Sequence, residues 1–273
     1  MTTLAPALCT TTLQYFGGPT SSGAVDVTIH DGRAADLPGW ETCGFQLLSH
    51  ASDVTDWGDD DQICSVHYPE MQAIAKELSG ADHTLLIGHI KRNPEQARAH
   101  HDLAPIPLVH CDFADSYEQL LRDRYRKPGP EEAAALEAAG LRGRDVARAE
   151  RLLVLQFWRN VGPVKMDMPL AWCDARTVPR RAIRPFPVTN YAGGGFDFEA
   201  LGFEAPRDPS AHEWYGFDRM QVDEVVAFRT FDTAMVATGE PYWTPHSAYR
   251  DPEVALGQPS RSSVELRVTC VFE

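Results

Sequence analysis

The sequence has no long apolar run, no closely paired cysteines and no export signal in its opening residues. Its longest apolar runs, such as residues 152–155, fall far short of the roughly 20 residues that a helix needs to cross a bilayer. Residues 1–6 have no basic region ahead of an apolar stretch. The six cysteines are scattered without a CxxC spacing, which argues against a zinc ribbon or a disulfide scaffold. These absences predict a cytoplasmic protein in a reducing compartment, with no contact with a membrane.

The chain also lacks a basic patch and a phosphate-binding loop. Asp and Glu outnumber Lys and Arg by 39 to 25, and the formal charge of −14 would repel the phosphates of a nucleic acid. The most basic segment, Arg122–Lys127, contains an aspartate and ends at Pro128, as expected of a solvated helix end. Gly193–Gly195 precedes no helical pattern, unlike the glycine-rich loops of nucleotide-binding folds. We therefore expect no nucleic-acid partner and no nucleotide-binding fold.

The chain does contain many short strand-like segments and a globular composition. Apolar residues make up 43% of it and charged residues 23%, which argues against disorder. Tyr68–Leu78 has helical spacing, with Pro69 at its start and Gly80 beyond its end. Strands are predicted at residues 25–29, 44–48, 83–90, 106–113, 152–158, 168–172, 213–217, 224–231 and 263–272. The pattern predicts a mainly β fold, a double-stranded β-helix (jelly roll) core with flanking helices.

We expect residues 1–273 to form a single domain. Residues 128–151 open on Pro128-Gly-Pro130 and are rich in Ala and Glu, which favour a surface helix. This segment is predicted to be a helical insertion within the domain.

Residues 108–113 place two metal-ligating side chains on one face of a strand. His110 and Asp112 are two positions apart, so the alternation of a strand turns both to the same side. His246, which follows the strand at 224–231, supplies a third ligand. Two histidines and one carboxylate leave open the coordination positions that ferrous oxygenases use for 2-oxoglutarate and O₂. We therefore predict that His110, Asp112 and His246 bind Fe(II) and form the catalytic centre.

Other assignments of the metal site stay open. His100 and Asp102 repeat the same spacing, although they follow a polar, helix-like stretch that indicates a solvated loop. His212 is an alternative distal ligand. For His110 the plainest alternative is a buried histidine that is hydrogen-bonded to a neighbour.

Arg261 and Ser263 lie fifteen and seventeen residues after His246, at the start of the last predicted strand. A ligand that chelates a metal at one end and carries a free carboxylate at the other is best held by a guanidinium beside a hydroxyl. We predict that Arg261 and Ser263 bind the far carboxylate of 2-oxoglutarate. The alternative is an exposed loop arginine and a serine that begins a strand.

Short motifs run along nearly the whole chain: Asp31–Arg33, Gly44–Leu47 with His50, Tyr68–Glu70, Gly88–Arg92, Val109–Asp112, Phe157–Arg159, Gly162–Val164, Pro169–Ala171 with Cys173–Arg176, His212–Tyr215, Asp223–Glu224, Thr244–Ala248 and Arg261–Glu265. The chain thereby resembles the small 2-oxoglutarate-dependent oxygenases related to the cephamycin 7α-hydroxylase component and to fungal natural-product hydroxylase/desaturases. The resemblance implies a double-stranded β-helix, ferrous iron, 2-oxoglutarate and O₂. By position it implies the same triad and the same cosubstrate pair.

Further side chains are candidates for the cosubstrate or the substrate. Tyr191 is a candidate donor to 2-oxoglutarate. The substrate candidates are His89, Arg159, Arg176 and His212. Each has a simpler alternative, because buried histidines are more often satisfied within the core and arginines more often pair with carboxylates such as Asp167 or Asp174.

Together these features predict an Fe(II)- and 2-oxoglutarate-dependent oxygenase that oxidises a small natural-product or amino-acid-derived substrate. Hydroxylation, desaturation, ring closure and epimerisation are all compatible with the sequence. Two other functions stay open: a cupin-like metalloenzyme that does not use 2-oxoglutarate, and a non-catalytic partner subunit of a tailoring enzyme. A homodimer or a complex with a tailoring-enzyme partner also stays open.

Overall fold

Two β-sheets make up the fold of the computed structural model, which describes residues 5–17 and 23–273. The strands are β1 (Ala7–Gln14), β2 (Ala24–Asp31), β3 (Phe45–Ser49), β4 (His83–Arg92), β5 (His110–Cys111), β6 (Arg151–Asn160), β7 (Leu170–Cys173), β8 (Ile183–Tyr191), β9 (Phe196–Phe203), β10 (Trp214–Gly216), β11 (Glu224–Asp232), β12 (His246–Ala248) and β13 (Ser263–Phe272). The larger sheet has the order β1-β2-β10-β7-β12-β5-β9-β8, and the smaller has the order β3-β11-β6-β13-β4. The mainly β fold predicted from the sequence is confirmed. Residues 1–4, which belong to the stretch on which the prediction about an export signal rests, lie outside the described residues.

The helices lie around the sheets. They are α1 (Trp40–Cys43), α2 (Asp60–Gln62), α3 (Tyr68–Ser79), α4 (Pro94–Ala99), α5 (Tyr117–Arg126), α6 (Pro130–Ala138), α7 (Gly143–Val146) and α8 (Thr233–Thr238). A π-helical turn covers Ile63–His67, and 3-10 turns cover His101–Leu103, Ala175–Thr177, Arg180–Ala182 and Pro209–Ala211. In the described part of the chain, none of the helices is long and apolar enough to cross a membrane.

Helix α3 forms where the sequence predicts it. Pro69 lies in its first turn, where a missing N–H has no cost, and Gly80 ends it in the left-handed conformation with φ of 68°. The buried face of the helix, which contains Met71 and Ala75, packs against the outer face of the smaller sheet.

The segment 128–151 is helical, as the sequence predicts, and consists of α6 and α7. Leu136 and Val146 anchor the two helices in the core next to Tyr125. Gly143 is required there, because a Cβ at this position would lie 2.0 Å from the backbone oxygen of Tyr125. That the segment is an insertion in a single domain stays a prediction.

The main core lies between the two sheets. Ile29 and Trp214 of the larger sheet belong to the same buried cluster as Val154, Phe231 and Val271 of the smaller one. Strand β13 is an interior strand of the smaller sheet, paired with β6 on one side and β4 on the other. Its inward-facing side chains therefore face the larger sheet.

Two local predictions differ from the structure. The strand predicted at 106–113 is reduced to β5, because Pro105 and Pro107 have no N–H to pair. The hairpin of β8 and β9 was not predicted, since Pro185 and Pro187 argue against a strand. Strand β8 is an edge strand of the larger sheet, where a proline without an N–H is tolerated.

Candidate metal centre

The three predicted metal ligands lie together between the sheets. His110 on β5 and His246 on β12 stand directly opposite each other in an antiparallel pair. Asp112 follows two residues after His110, and its Oδ1 lies 3.8 Å from His110 Nε2 and 3.7 Å from His246 Nε2. The three donor atoms all lie within 4.8 Å of one another, and the side chains are buried. Two imidazoles and one carboxylate at this spacing fit an octahedral ferrous site with open positions.

Backbone carbonyls fix both histidine rings. Nδ1 of His110 lies 2.7 Å from the oxygen of Leu108, and Nδ1 of His246 lies 3.0 Å from the oxygen of Thr244. A carbonyl only accepts, so each Nδ1 carries the proton and donates it. Nε2 of each ring is then free of a proton and points at the metal position.

Arg267 on β13 orients the carboxylate. Its Nε and one terminal nitrogen donate to Oδ2 of Asp112 at 3.0 and 2.9 Å, which leaves Oδ1 for a metal. Burial alone would raise the pKa of Asp112, but Arg267 and the two histidines outweigh it and lower the pKa to about 2. Burial and the neighbouring His246 lower the pKa of His110 to about 4. The ligand set is therefore deprotonated at neutral pH, as metal binding requires.

The predicted cosubstrate pair lies beside this centre. Arg261 is buried, donates from Nε to Ser263 Oγ at 3.1 Å, and donates from NH2 to Glu265 Oε1 at 3.2 Å. Its guanidinium carbon lies 5.1 Å from the ring centre of Trp158. Its NH1 has no hydrogen-bond partner among the described residues. An unpaired buried donor is costly, and it marks where an acceptor group of a ligand fits.

Two cavities adjoin the metal position. The smaller, of about 20 Å³, is lined by all three triad residues and by Arg261, so metal ligands and guanidinium face one space. The larger, of about 730 Å³, also reaches His110 and Asp112. Its further walls are mainly apolar and aromatic, and include Tyr117, Phe186 and Phe198. A space of this size suits a small organic molecule.

Tyr191 and His89 border the larger cavity, and each has a polar partner in the protein. The Tyr191 hydroxyl accepts from Arg92 at 3.0 Å. That bond does not use the proton of the hydroxyl, so donation by Tyr191 to the cosubstrate stays a prediction. His89 contacts the Tyr68 hydroxyl through Nδ1 and Asp60 through Nε2, at 2.9 and 3.0 Å.

The structure does not bring the other substrate candidates to either cavity. Arg159 donates to the carbonyls of His50 and Val222. The alternative from the sequence was that it pairs with an aspartate. Arg176 pairs with Asp174, which is the simpler alternative for this arginine. His212 lies 3.0 Å from the Tyr15 hydroxyl, where it is remote from the triad and cannot replace His246. The reason in each case is that a nearer polar partner occupies the side chain.

The second His-x-Asp segment forms a more exposed cluster. The donor atoms of His100, His101 and Asp102 also lie within 4.8 Å of one another. The His101 side chain is 87% exposed, and Oδ2 of Asp102 accepts the backbone N–H of Ala192. The buried and preoriented triad is the better metal site.

Several polar residues of the centre were missed by the sequence analysis. Glu265 and Arg267 follow Arg261 and Ser263 at steps of two along β13, and that alternation was a usable signal. Arg92 on β4 offered no such signal, since only the register of β4 against β13 places it beside Ser263.

Comparison with known proteins places these features in a family. The hydroxylase/desaturase efuI of Hormonema carpetanum is 27% identical over 249 residues, which cover 84% of this chain and 77% of the relative. The alpha-ketoglutarate-dependent dioxygenase phiK of a fungal species is 25% identical over 253 residues, covering 90% of this chain and 83% of the relative. The expected likeness to fungal hydroxylase/desaturases is thereby confirmed, whereas that to the cephamycin component stays a prediction.

A solved structure of the iron and alpha-ketoglutarate-dependent endoperoxidase NvfI, in a form described as a different conformation, superposes with a TM-score of 0.72. It covers 97% of this chain and 98% of its own, at 20% identity, and so shows a shared fold. The family described as the oxidoreductase/YMDC permease-like domain matches residues 14–272. Because this match takes in nearly the whole chain, the protein belongs to the oxidoreductase/YMDC permease-like domain family.

Proposed function

We propose that this protein is an Fe(II)- and 2-oxoglutarate-dependent oxygenase that oxidises a small natural-product or amino-acid-derived compound. His110, Asp112 and His246 would hold the iron, and Arg261 with Ser263 would bind the far carboxylate of 2-oxoglutarate. The observation that carries the proposal is the buried, unpaired NH1 of Arg261, which lines the same small cavity as the triad.

The charges around the metal position support a doubly anionic ligand. Three guanidinium groups, those of Arg92, Arg261 and Arg267, are paired with two carboxylates, those of Asp112 and Glu265. A divalent metal adds two further positive charges. A dicarboxylate that chelates the metal at one end and meets Arg261 at the other lowers this excess from three positive charges to one, and its far carboxylate satisfies the NH1 that has no partner among the described residues.

The chemistry that iron supplies when bound is the activation of O₂, coupled to decarboxylation of 2-oxoglutarate to succinate. The protein contributes position and environment. Arg267 leaves a single oxygen of Asp112 free for the metal, and the carbonyls of Leu108 and Thr244 keep the imidazole rings aligned. The apolar walls of the larger cavity would hold the substrate beside the triad and limit the access of water.

Other features of the protein are part of the same proposal. The two packed sheets support a jelly-roll core, in which residues 1–273 form a single oxygenase domain with an insertion at 128–151. We also propose that the protein works in the cytoplasm, and that a homodimer or a tailoring-enzyme partner is compatible with its surface.

The test is an anaerobic titration of the Fe(II)-loaded protein with 2-oxoglutarate, followed by the visible charge-transfer band of a keto acid chelated to ferrous iron. We expect a band in the wild type, loss of the band in His246→Ala, and a need for far more 2-oxoglutarate in Arg261→Ala. Arg176→Ala is the control, because this arginine pairs with Asp174 away from both cavities.

A wild-type protein that binds iron but gives no band would contradict the use of 2-oxoglutarate and favour a cupin-like metalloenzyme. Full function of a protein without the triad histidines would favour a partner subunit.

A further inference from the structure

Glu265 lies between two arginines at the cosubstrate end of the centre. Its Oε1 accepts from Arg92 Nε at 2.5 Å and from Arg261 NH2 at 3.2 Å, while Oε2 accepts from Gln156 at 3.1 Å. All of these side chains are buried. Burial alone would raise the pKa of Glu265, but Arg92 and Arg261 outweigh it and lower the pKa. A full negative charge therefore lies beside the guanidinium that is proposed to bind the far carboxylate of 2-oxoglutarate.

Two carboxylates compete for Arg261 in this arrangement. Glu265 and the far carboxylate of the cosubstrate are both anions that the Arg261 guanidinium attracts. If Arg261 were the only cation near Glu265, the carboxylate would form two parallel hydrogen bonds with the Arg261 guanidinium. The cosubstrate would then have to break a buried ion pair before it could bind. The unequal distances, 2.5 Å to Arg92 against 3.2 Å to Arg261, indicate that Glu265 instead has Arg92 as its principal partner.

Arg92 is well suited to hold Glu265 away from Arg261, because its two terminal nitrogens are bonded to other parts of the protein. Its NH1 donates to the carbonyls of Asp102 and Ala104 at 2.6 and 2.8 Å, and its NH2 donates to the Tyr191 hydroxyl at 3.0 Å. These partners come from the loop after α4 and from the end of β8. Nε is the nitrogen that donates to Glu265, and its position is set by the other bonds.

We propose that Arg92 is a positioning residue that keeps Glu265 from capturing Arg261 and so keeps Arg261 available to the far carboxylate of 2-oxoglutarate. The inference rests on the function proposed above. It also assigns a part to the Tyr191 hydroxyl, which accepts from Arg92 and so helps to fix that guanidinium.

The experiment is a double-substitution cycle, read as the affinity of the Fe(II)-loaded protein for 2-oxoglutarate. Binding is followed anaerobically by the charge-transfer band and, independently, by the rise in melting temperature that 2-oxoglutarate causes. We expect Arg92→Met to weaken binding about tenfold or more, because Glu265 is left to pair with Arg261. We expect Glu265→Gln to bind within about threefold of the wild type, since the competing charge is gone.

The combined variant decides between positioning and simple structural support. If Arg92 acts by restraining Glu265, Arg92→Met with Glu265→Gln recovers binding to within about threefold of Glu265→Gln alone. If Arg92 only supports the fold, the added Glu265→Gln substitution would not restore 2-oxoglutarate binding. Arg151→Met is the matched control, because it removes an arginine from the buried Asp232 at a distance from both cavities and should leave 2-oxoglutarate binding unchanged.

A conservative variant keeps the test decisive if Arg92→Met does not fold. Arg92→Lys retains a cation for Glu265, and because Glu265 competes for Arg261 through its charge, we expect 2-oxoglutarate binding within about threefold of the wild type. A tenfold loss in Glu265→Gln, an absence of rescue in the combined variant, or a tenfold loss in Arg92→Lys overturns the inference. These results would leave the proposed function intact, whereas a wild type that binds iron without a band overturns both.

Discussion

Arg267 connects the carboxylate of Asp112, the proposed metal ligand, to a strand of the opposite sheet. It holds Oδ2 of Asp112 with two donors, and its guanidinium lies 5.7 Å from the ring centre of Phe113. The carboxylate therefore has one oxygen committed to the protein and one available to a metal. Residues that orient a metal ligand in this way affect metal affinity although they never touch the ion.

We expect Arg267→Met to weaken Fe(II) binding by about 10–100-fold, because Asp112 loses both its orientation and its buried cation. An anaerobic Fe(II) titration measures this, with Arg151→Met as the control for loss of an arginine from a carboxylate elsewhere. Binding as tight as that of the wild type would show that the histidines alone align the carboxylate.

His212 illustrates how a plausible ligand is used for packing. Trp214 Nε1 donates to the Tyr15 hydroxyl at 3.0 Å, and this hydroxyl lies 3.0 Å from His212 Nδ1. The Tyr15 hydroxyl, which accepts from Trp214, therefore donates its own proton to Nδ1 of His212. Nδ1 can accept this bond because the imidazole is neutral. Burial lowers the pKa of His212 from 6.5 to about 4.

This shift predicts a loss of stability in acid. Between pH 6.5 and 4 the unfolded chain takes up a proton at His212 that the folded chain does not, so the free energy of unfolding falls as the pH falls through that range. The contribution at pH 5 is about 2 kcal/mol relative to pH 7. Urea unfolding of the wild type and of His212→Gln at both pH values measures it, and the variant should lose about 2 kcal/mol less. An equal loss in both proteins would contradict the assignment.

At the scale of elements, β13 gathers one end of the site on a single strand face. Arg261 just before it and Ser263, Glu265 and Arg267 along it succeed one another at steps of two. The proposed cosubstrate pair, the buried glutamate and the arginine that supports Asp112 therefore lie on or next to one strand. A shift of β13 by one residue would turn this whole set away from the metal.

The end of helix α1 supports the other side of the metal site. Gly44 ends the helix with φ of 100°, and its carbonyl accepts from the Thr244 hydroxyl at 3.0 Å. A Cβ at Gly44 would lie 2.4 Å from that hydroxyl oxygen. Thr244 in turn provides the carbonyl that orients His246.

We expect Gly44→Ala both to destabilise the fold and to weaken metal binding. Gly80→Ala is the matched control, since Gly80 also ends a helix at positive φ but has nothing within 4 Å of the point that a Cβ would occupy. Backbone strain alone, as in the control, costs about 1 kcal/mol, whereas the clash at Gly44 should add about 1–3 kcal/mol. Urea unfolding and Fe(II) titration of both variants test this. Unchanged Fe(II) affinity in Gly44→Ala would contradict the link to His246.

The sequence predicts elements well where one local signal dominates. Helix α3 has both a proline at its start and a glycine at its end, and β13 has a long alternating pattern. The hairpin of β8 and β9 was missed because its prolines are acceptable only on an edge strand. Which strand is an edge depends on the order of the whole sheet, and no local pattern contains that order.

The same limit applies to the site. His110, Asp112, His246 and Arg261 were predicted because their side-chain chemistry is distinctive, and the structure brings them to one cavity. Arg92 was not predicted, because it joins the site only through the pairing of β4 with β13. In that pairing Arg92 lies opposite Ser263, which is 171 positions later in the sequence. Ligand chemistry is local, whereas the residues that orient ligands are set by register.

At the scale of the molecule, the site joins the two sheets. His110 and His246 belong to the larger sheet, while Ser263 and Arg267 belong to the smaller one. Apart from the main core, the polar contacts around the metal position are a second connection between them. A metal and a dicarboxylate that bind there together would therefore oppose global unfolding and not only the opening of a loop.

This predicts a specific pattern of stabilisation. Fe(II) with 2-oxoglutarate at about 100 times its dissociation constant should raise the free energy of unfolding by about 2.7 kcal/mol over Fe(II) alone, because only the folded chain offers the complete site. The same 2-oxoglutarate without metal should add much less, since its chelating end has no partner. Anaerobic thermal or urea unfolding gives the four values needed, and Arg261→Ala should lose most of the 2-oxoglutarate contribution while keeping that of the metal. An equal 2-oxoglutarate effect with and without metal would mean that the dicarboxylate binds elsewhere, and that metal and guanidinium do not share one ligand across the two sheets.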